Sequence, residues 1–164
     1  MFLAAQLVSG SQVPPGAGAD ESEESEYLAA PGRGPRHGRV LIMDDDRMVR
    51  ETMRRQLVIC GYEVTATSCG EDAVGAYRQA RESGWPFDAV ILDLMVSGGW
   101  GGEQTLAELL SLDPGVKAVV CSGTLAGSKE HYEKQGFCGV LGKPYSLGDL
   151  RGVVALVLQP SPGA

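Results

Sequence analysis

The chain of 164 residues has 43% hydrophobic residues and a formal net charge of -7, enough apolar content for one core of ordinary domain size. That acidity argues against a nucleic-acid binder, which must neutralise phosphates with Lys and Arg. The apolar start, residues 1–8, lacks the positive flank of a signal peptide and is far too short to cross a membrane.

Residues 9–38 are rich in Gly, Pro, Ser and Glu, with an acidic block over 20–26. Such a stretch buries too little apolar surface to offset its ordering entropy, so 1–38 reads as a disordered tail or linker. His37 has no acid or hydroxyl neighbour in the sequence and reads as a loop residue rather than a catalytic one. Cys60, Cys69, Cys121 and Cys138 make no C-x-x-C pair and have no His at ligand spacing. They are expected to be packed or incidental reduced thiols, which places the chain in the cytoplasm.

From Arg39 the texture changes to short apolar runs alternating with amphipathic segments. A strand over 40–43 precedes a helix over 47–60 with Val49, Met53, Leu57 and Cys60 inward. A second strand over 62–67 is followed by a helix from Ser68 to about Glu82, opened by a capping box of Ser68 and Glu71. Its inner stripe is Ala73, Tyr77 and Ala80. Trp85 and Pro86 break the chain before a third strand over 89–92. A glycine-rich loop over 97–102 leads to a helix with Leu106, Leu109 and Leu110 on one face. The fourth strand spans 116–121, and a weaker helix over 128–135 stops at Gly136. The fifth strand spans 139–141, and a second capping box, Ser146 with Asp149, opens a helix that turns Leu147, Leu150, Val154, Val157 and Leu158 inward. Five strands alternating with five helices through short loops predict a parallel sheet covered on both faces.

Four of these strands end on polar residues: Asp44, Asp45 and Asp46 after the first, Asp93 after the third, Ser122 after the fourth and Lys143 after the fifth. In open α/β sheets ligands bind outside the carboxyl ends of the strands, so these ends define a candidate site. Asp44, Asp45 and Asp93, if aligned, would repel one another by several kcal/mol unless a cation were supplied. Hard oxygen ligands in an incomplete shell suit Mg2+, which shares its remaining positions with a phosphate. Lys143 and Ser122 would serve the phosphoryl oxygens, and an aspartate held there can be a nucleophile. Each signal has a plainer reading by itself. An Asp pair can cap a helix, a Ser after a strand can cap a turn, and the glycines of 98–102 lack the lysine of a P-loop and suit turn geometry.

Taken together, the run Val40-Leu41-Ile42-Met43-Asp44-Asp45-Asp46, Asp93 after Val90-Ile91-Leu92, Ser122-Gly123 and Gly142-Lys143-Pro144-Tyr145 resemble the receiver (response regulator) domain of two-component signalling. The resemblance covers residues 39–158. It implies a flavodoxin-like α/β fold, a five-stranded parallel sheet in the order 2-1-3-4-5 with five helices on both faces, over residues 39–159, with 160–164 a short tail. It implies that Asp93 accepts a phosphoryl group from a sensor histidine kinase or histidine phosphotransfer protein. Asp44, Asp45, Asp93 and the backbone carbonyl of Met95 would bind Mg2+, and Ser122 and Lys143 the phosphoryl group. A downstream protein partner would read the state, and a homodimer could form through the fourth and fifth helices. The motifs look most like the receivers at the carboxyl ends of hybrid sensor histidine kinases. Nothing after Leu158 would supply an output domain, so the chain is expected to act as a phosphorylation-controlled binding module or as the detached end of a hybrid histidine kinase, not an enzyme in the ordinary sense.

Three residues depart from the pattern. Ser97 replaces a proline and is expected to loosen its loop without touching the chemistry. Val140 stands where many receivers carry an inward-turning aromatic, which shifts the reporting role toward the Ser122 loop or Tyr145. Met95 is apolar where a polar residue could position a water, which predicts a long-lived phosphoryl group. Two rival readings fit the same residues. One is a haloacid-dehalogenase-like phosphatase using Asp44 and Asp46, disfavoured because no acidic pair follows Lys143 and Asp93 is left without a role. The other is a pseudo-receiver that only docks partners.

Overall fold

The computed structural model describes residues 37–124 and 127–159, and the tail expectations for 1–36 and 160–164 lie outside them. Among the described residues, strands β1 (Arg39–Met43), β2 (Glu63–Thr67), β3 (Ala89–Asp93), β4 (Ala118–Ser122) and β5 (Gly139–Gly142) alternate with helices α1 (Arg47–Ile59), α2 (Gly70–Glu82), α3 (Gly102–Leu112), α4 (Lys129–Gln135) and α5 (Leu147–Leu158). The sheet order is β2-β1-β3-β4-β5 with every pairing parallel, as expected for a flavodoxin-like fold.

Alternation along the strands divides the core in two, because successive side chains point to opposite faces. Leu41, Met43, Val90, Leu92, Ala118 and Val120 face one cluster with α2, α3 and α4. Val40, Ile42, Ala89, Ile91, Val119 and Cys121 face the other with α1 and α5. A strand buried on both faces needs a continuous apolar run, and β3 is buried throughout, its terminal Asp93 included.

The helix boundaries follow their caps. Asp46 caps α1, its carboxylate accepting from Met48 N (2.8 Å) and Val49 N (3.2 Å). The predicted box of Ser146 and Asp149 is present at α5, and Gly136 ends α4 at a left-handed φ of 105°, which an L side chain adopts only with strain. The box expected at Ser68 is not formed. Helix α2 starts at Gly70, so Cys69 rather than Ser68 occupies the N-cap, without a side-chain bond, and Glu71 accepts from the Trp100 N–H at 3.2 Å. The inner stripes are narrower than predicted. Met53 and Leu57 are buried on α1 while Val49 and Cys60 are half-buried; on α3, Leu110 is half-buried; on α5, Leu147 is 40% exposed and Leu158 half-buried. Residues in the first or last turn project beyond the sheet edge, which limits what they can cover. Val116 is buried but lies in a turn, its N–H donating to Asp113 O, so β4 starts two residues later than expected.

His37 is exposed but not isolated. Its Nδ1 lies 2.9 Å from Cys60 O and its ring packs edge-on against Tyr62. The four cysteines are free thiols. Cys121 is buried between β4 and α5, and burial pushes its thiol up to about 12, so it is inert at neutral pH.

Candidate phosphoacceptor site

The carboxyl ends of β1, β3 and β5 meet at one edge of the sheet. Asp44 follows β1 and is 2% exposed; Asp93 closes β3 and is 6% exposed. Lys143, the residue after β5, reaches between them, with Nζ 2.7 Å from Asp44 Oδ2 and 2.8 Å from Asp93 Oδ2. The parallel register, which aligns Met43 with Leu92 and Asp93 with Cys121, brings residues so far apart in sequence to one level.

Burial raises the Asp44 carboxyl, opposed by Lys143 and reinforced by the neighbouring charge of Asp93. Burial alone would depress the Lys143 ammonium, but its hydrogen bonds to Asp44 and Asp93 outweigh that and raise it. Lys143 therefore stays charged and is held by both acids. Asp44 Oδ1 accepts from Asp46 N at 2.9 Å, and Asp93 Oδ1 from Met95 N at 3.3 Å, so each carboxylate is oriented by a backbone N–H two residues on.

Asp45 is the half-exposed member. Its Oδ2 accepts from Ser97 N at 2.9 Å, and that bond holds the Asp45 carboxyl below the usual carboxylate range. Ser97 thus ties the β3–α3 loop to Asp45, contrary to the expectation that it does not touch the chemistry. A residue other than proline at 97 keeps its N–H, and that was the legible signal. The remaining loop contacts explain its glycines. Only Gly98 of that set has positive φ, 77°. A Cβ on Gly102 would stand 2.7 Å from Asp93 O, and one on Gly101 would meet Leu94 O, so close backbone approach rather than turn geometry excludes side chains there.

Asp44, Asp45 and Asp93 each offer a ligand oxygen within 4.8 Å of the others. Lys143 offsets part of their charge, and the site supplies only hard oxygen donors, a set that fits a divalent cation such as Mg2+. Arg50, which the motif reading did not single out, donates to the carbonyls of Asp44 (2.6 Å) and Asp45 (3.3 Å) and anchors the acidic turn to α1.

The other expected participants sit at the margin. Ser122 is buried at the end of β4, but its hydroxyl pairs with Thr124, donating to O at 3.3 Å and accepting from N at 3.2 Å. Val140 is half-buried against the α2–α4 cluster, whereas Tyr145 packs on the α1–α5 side, where burial pushes its hydroxyl up to about 12. These two residues therefore lie on opposite faces of the sheet. Met95, two residues after Asp93, is 74% exposed. Asp46, the acid of the phosphatase reading, is engaged as the α1 cap.

The response regulator receiver domain family model matches residues 40–155. The chain belongs to the response regulator receiver domain family. It is 32% identical over 110 residues to a response regulator receiver protein of Anaeromyxobacter, covering 66% of this chain and 44% of that protein. It is 31% identical over 85 residues to the chemotaxis protein CheY of Thermotoga maritima, covering 51% of this chain and 66% of the relative. The chain thus spans less than half the length of the first of these relatives. A solved receiver domain protein of Clostridium thermocellum superposes with a TM-score of 0.62 at 23% identity, covering 73% of this chain and 93% of that one, a likeness of fold.

Proposed function

We propose that Asp93 accepts a phosphoryl group from a phosphohistidine on a sensor kinase or histidine phosphotransfer protein, and that the modified chain switches the binding of a downstream partner. The observation that carries this reading is the Lys143 ammonium bridging Asp44 and Asp93 at the carboxyl edge of the sheet. An Asp93 carboxylate oxygen attacks phosphorus, the P–O bond forms as the P–N bond to imidazole breaks, and the imidazole leaves with the bonding pair and takes a proton from solvent. Lys143, already within hydrogen-bond reach of the nucleophile, exchanges its bond to Asp93 for one to a phosphoryl oxygen. Asp44, Asp45, Asp93 and the Met95 carbonyl would hold Mg2+, which supplies charge neutralisation at the phosphoryl oxygens when bound.

Ser122 must leave Thr124 to donate to the phosphoryl group. That exchange releases Thr124 and gives the switch its first displacement. With Val140 in place of an aromatic, the packing change starts at Ser122 and Thr124. A donor reaches the site over a groove lined by Met48, Val49, Thr52, Gln56, Pro144 and Tyr145, which borders Lys143 directly. No described helix is long and apolar enough to cross a membrane, which is compatible with a cytoplasmic phosphorelay.

The test is incubation with acetyl phosphate and Mg2+ followed by intact mass measurement. A single phosphoryl adduct on the wild type that is lost in Asp93→Ala is the expected result. Sustained phosphate release that survives Asp93→Ala but disappears in Asp44→Ala or Asp46→Ala would move the assignment to a phosphatase. Absence of any adduct or turnover would leave a docking module.

A further inference from the structure

Two of the three acids are held by internal partners: Asp44 by the Asp46 N–H and Lys143, and Asp93 by the Met95 N–H and Lys143. Asp45 lies at the half-exposed rim, and its partner across the site is Ser97 on the β3–α3 loop, chiefly through the backbone N–H at 2.9 Å and to a lesser degree through the hydroxyl. With that bond in place its ligand oxygen falls within 4.8 Å of those of Asp44 and Asp93. An ionised carboxylate accepts from several directions, so it can take the N–H and a cation together.

We infer that Ser97 is a positioning residue whose backbone N–H holds Asp45 as a cation ligand, so that the cluster is assembled before the ion arrives. This rests on the cation reading of the proposed function. A freely rotating rim aspartate must be ordered when the ion binds, and one already held by an N–H has lost that freedom beforehand. The loop can supply this restraint because it is fixed independently on its far side. Trp100 N is bonded to Glu71 Oε2, and Gly101 and Gly102 rest against the carbonyls of Leu94 and Asp93. Proline at 97 would remove the donor while leaving those anchors, whereas alanine would keep it.

The experiment is a Mg2+ titration of the full chain followed by amide NMR, comparing wild type, Ser97→Ala and Ser97→Pro. Ser97→Ala is expected to bind within about twofold of wild type and Ser97→Pro about tenfold more weakly. Equal affinity in Ser97→Pro and Ser97→Ala would overturn the inference. The wild-type Ser97 amide gives an independent reading that holds even where the proline variant does not fold. It should stay protected from exchange at saturating Mg2+ and lose protection in Asp45→Ala. Release of that amide by Mg2+ in the wild type would mean that the loop competes with the ion, which also overturns the inference. Failure of the wild type to bind Mg2+ at all would instead remove the cation reading on which the inference rests, and the two failures are thus distinguishable.

Discussion

Lys143 is the residue on which the electrostatics of the site turn. It lies between two carboxylates that are nearly buried, and each would be left beside a like charge without it. Lys143→Ala should lower folding stability by about 2 kcal/mol. It should also slow phosphorylation by acetyl phosphate by about 100-fold, since a preorganised charge at the phosphoryl oxygens is lost. Urea unfolding and rates from intact mass check both, and added Mg2+ should restore stability more in the variant than in the wild type. Met95, two residues after Asp93 and 74% exposed, brings no polar group to hold a water in line. Replacing it with Asn should shorten the life of the acyl phosphate by about tenfold, read as loss of the adduct with time; an unchanged half-life of seconds in both proteins would count against that role.

At the scale of elements, α2 is joined to the end of α3 by a polar clamp. Tyr77 donates to Asp113 Oδ2 at 2.8 Å and Arg81 pairs with the same oxygen. Burial acts to raise Asp113, but the hydrogen bonds from Tyr77 and Gly115 and the Arg81 charge outweigh it and hold the carboxyl below its ordinary 3.8. A folded value below the unfolded one means that the clamp stabilises above pH 3.8 and that its contribution disappears as pH falls through the lower folded value. Unfolding of wild type and Asp113→Asn across the acid range should show a stability gap at neutral pH that closes on acidification. A gap independent of pH would assign the effect to packing.

For the whole molecule, one sheet carries both cores, so damage to a central strand reaches every element. Ile91 lies on β3, flanked by β1 and β4, and is 1% exposed. Ile91→Ala should remove about 3 kcal/mol, a large share of the 5 to 15 kcal/mol typical of a domain. The denaturant midpoint should fall with the transition still cooperative. The proposed switch has a comparable scale. Moving the domain from mostly inactive to mostly active takes about 3 to 5 kcal/mol of preference for the active form, within reach of rearranging a few charged hydrogen bonds at Asp93, Lys143 and Ser122.

Strand and helix order was legible in the sequence because periodicity is local. The apolar run of β3, the Ser146 start of α5 and the Gly136 stop of α4 depend on neighbours within a turn or two. The meeting of Asp44, Asp93 and Lys143 was also within reach, since parallel strands joined by helices deliver their carboxyl ends to one edge. What only the tertiary structure decided were bonds between segments distant in the chain, where several partners compete for one group. Trp100 gave its N–H to Glu71, and Ser97 gave its N–H to Asp45. Residue types and spacing name the groups that meet around Asp93, but which hydrogen bond each one makes is set by distances that exist only after the loops have packed.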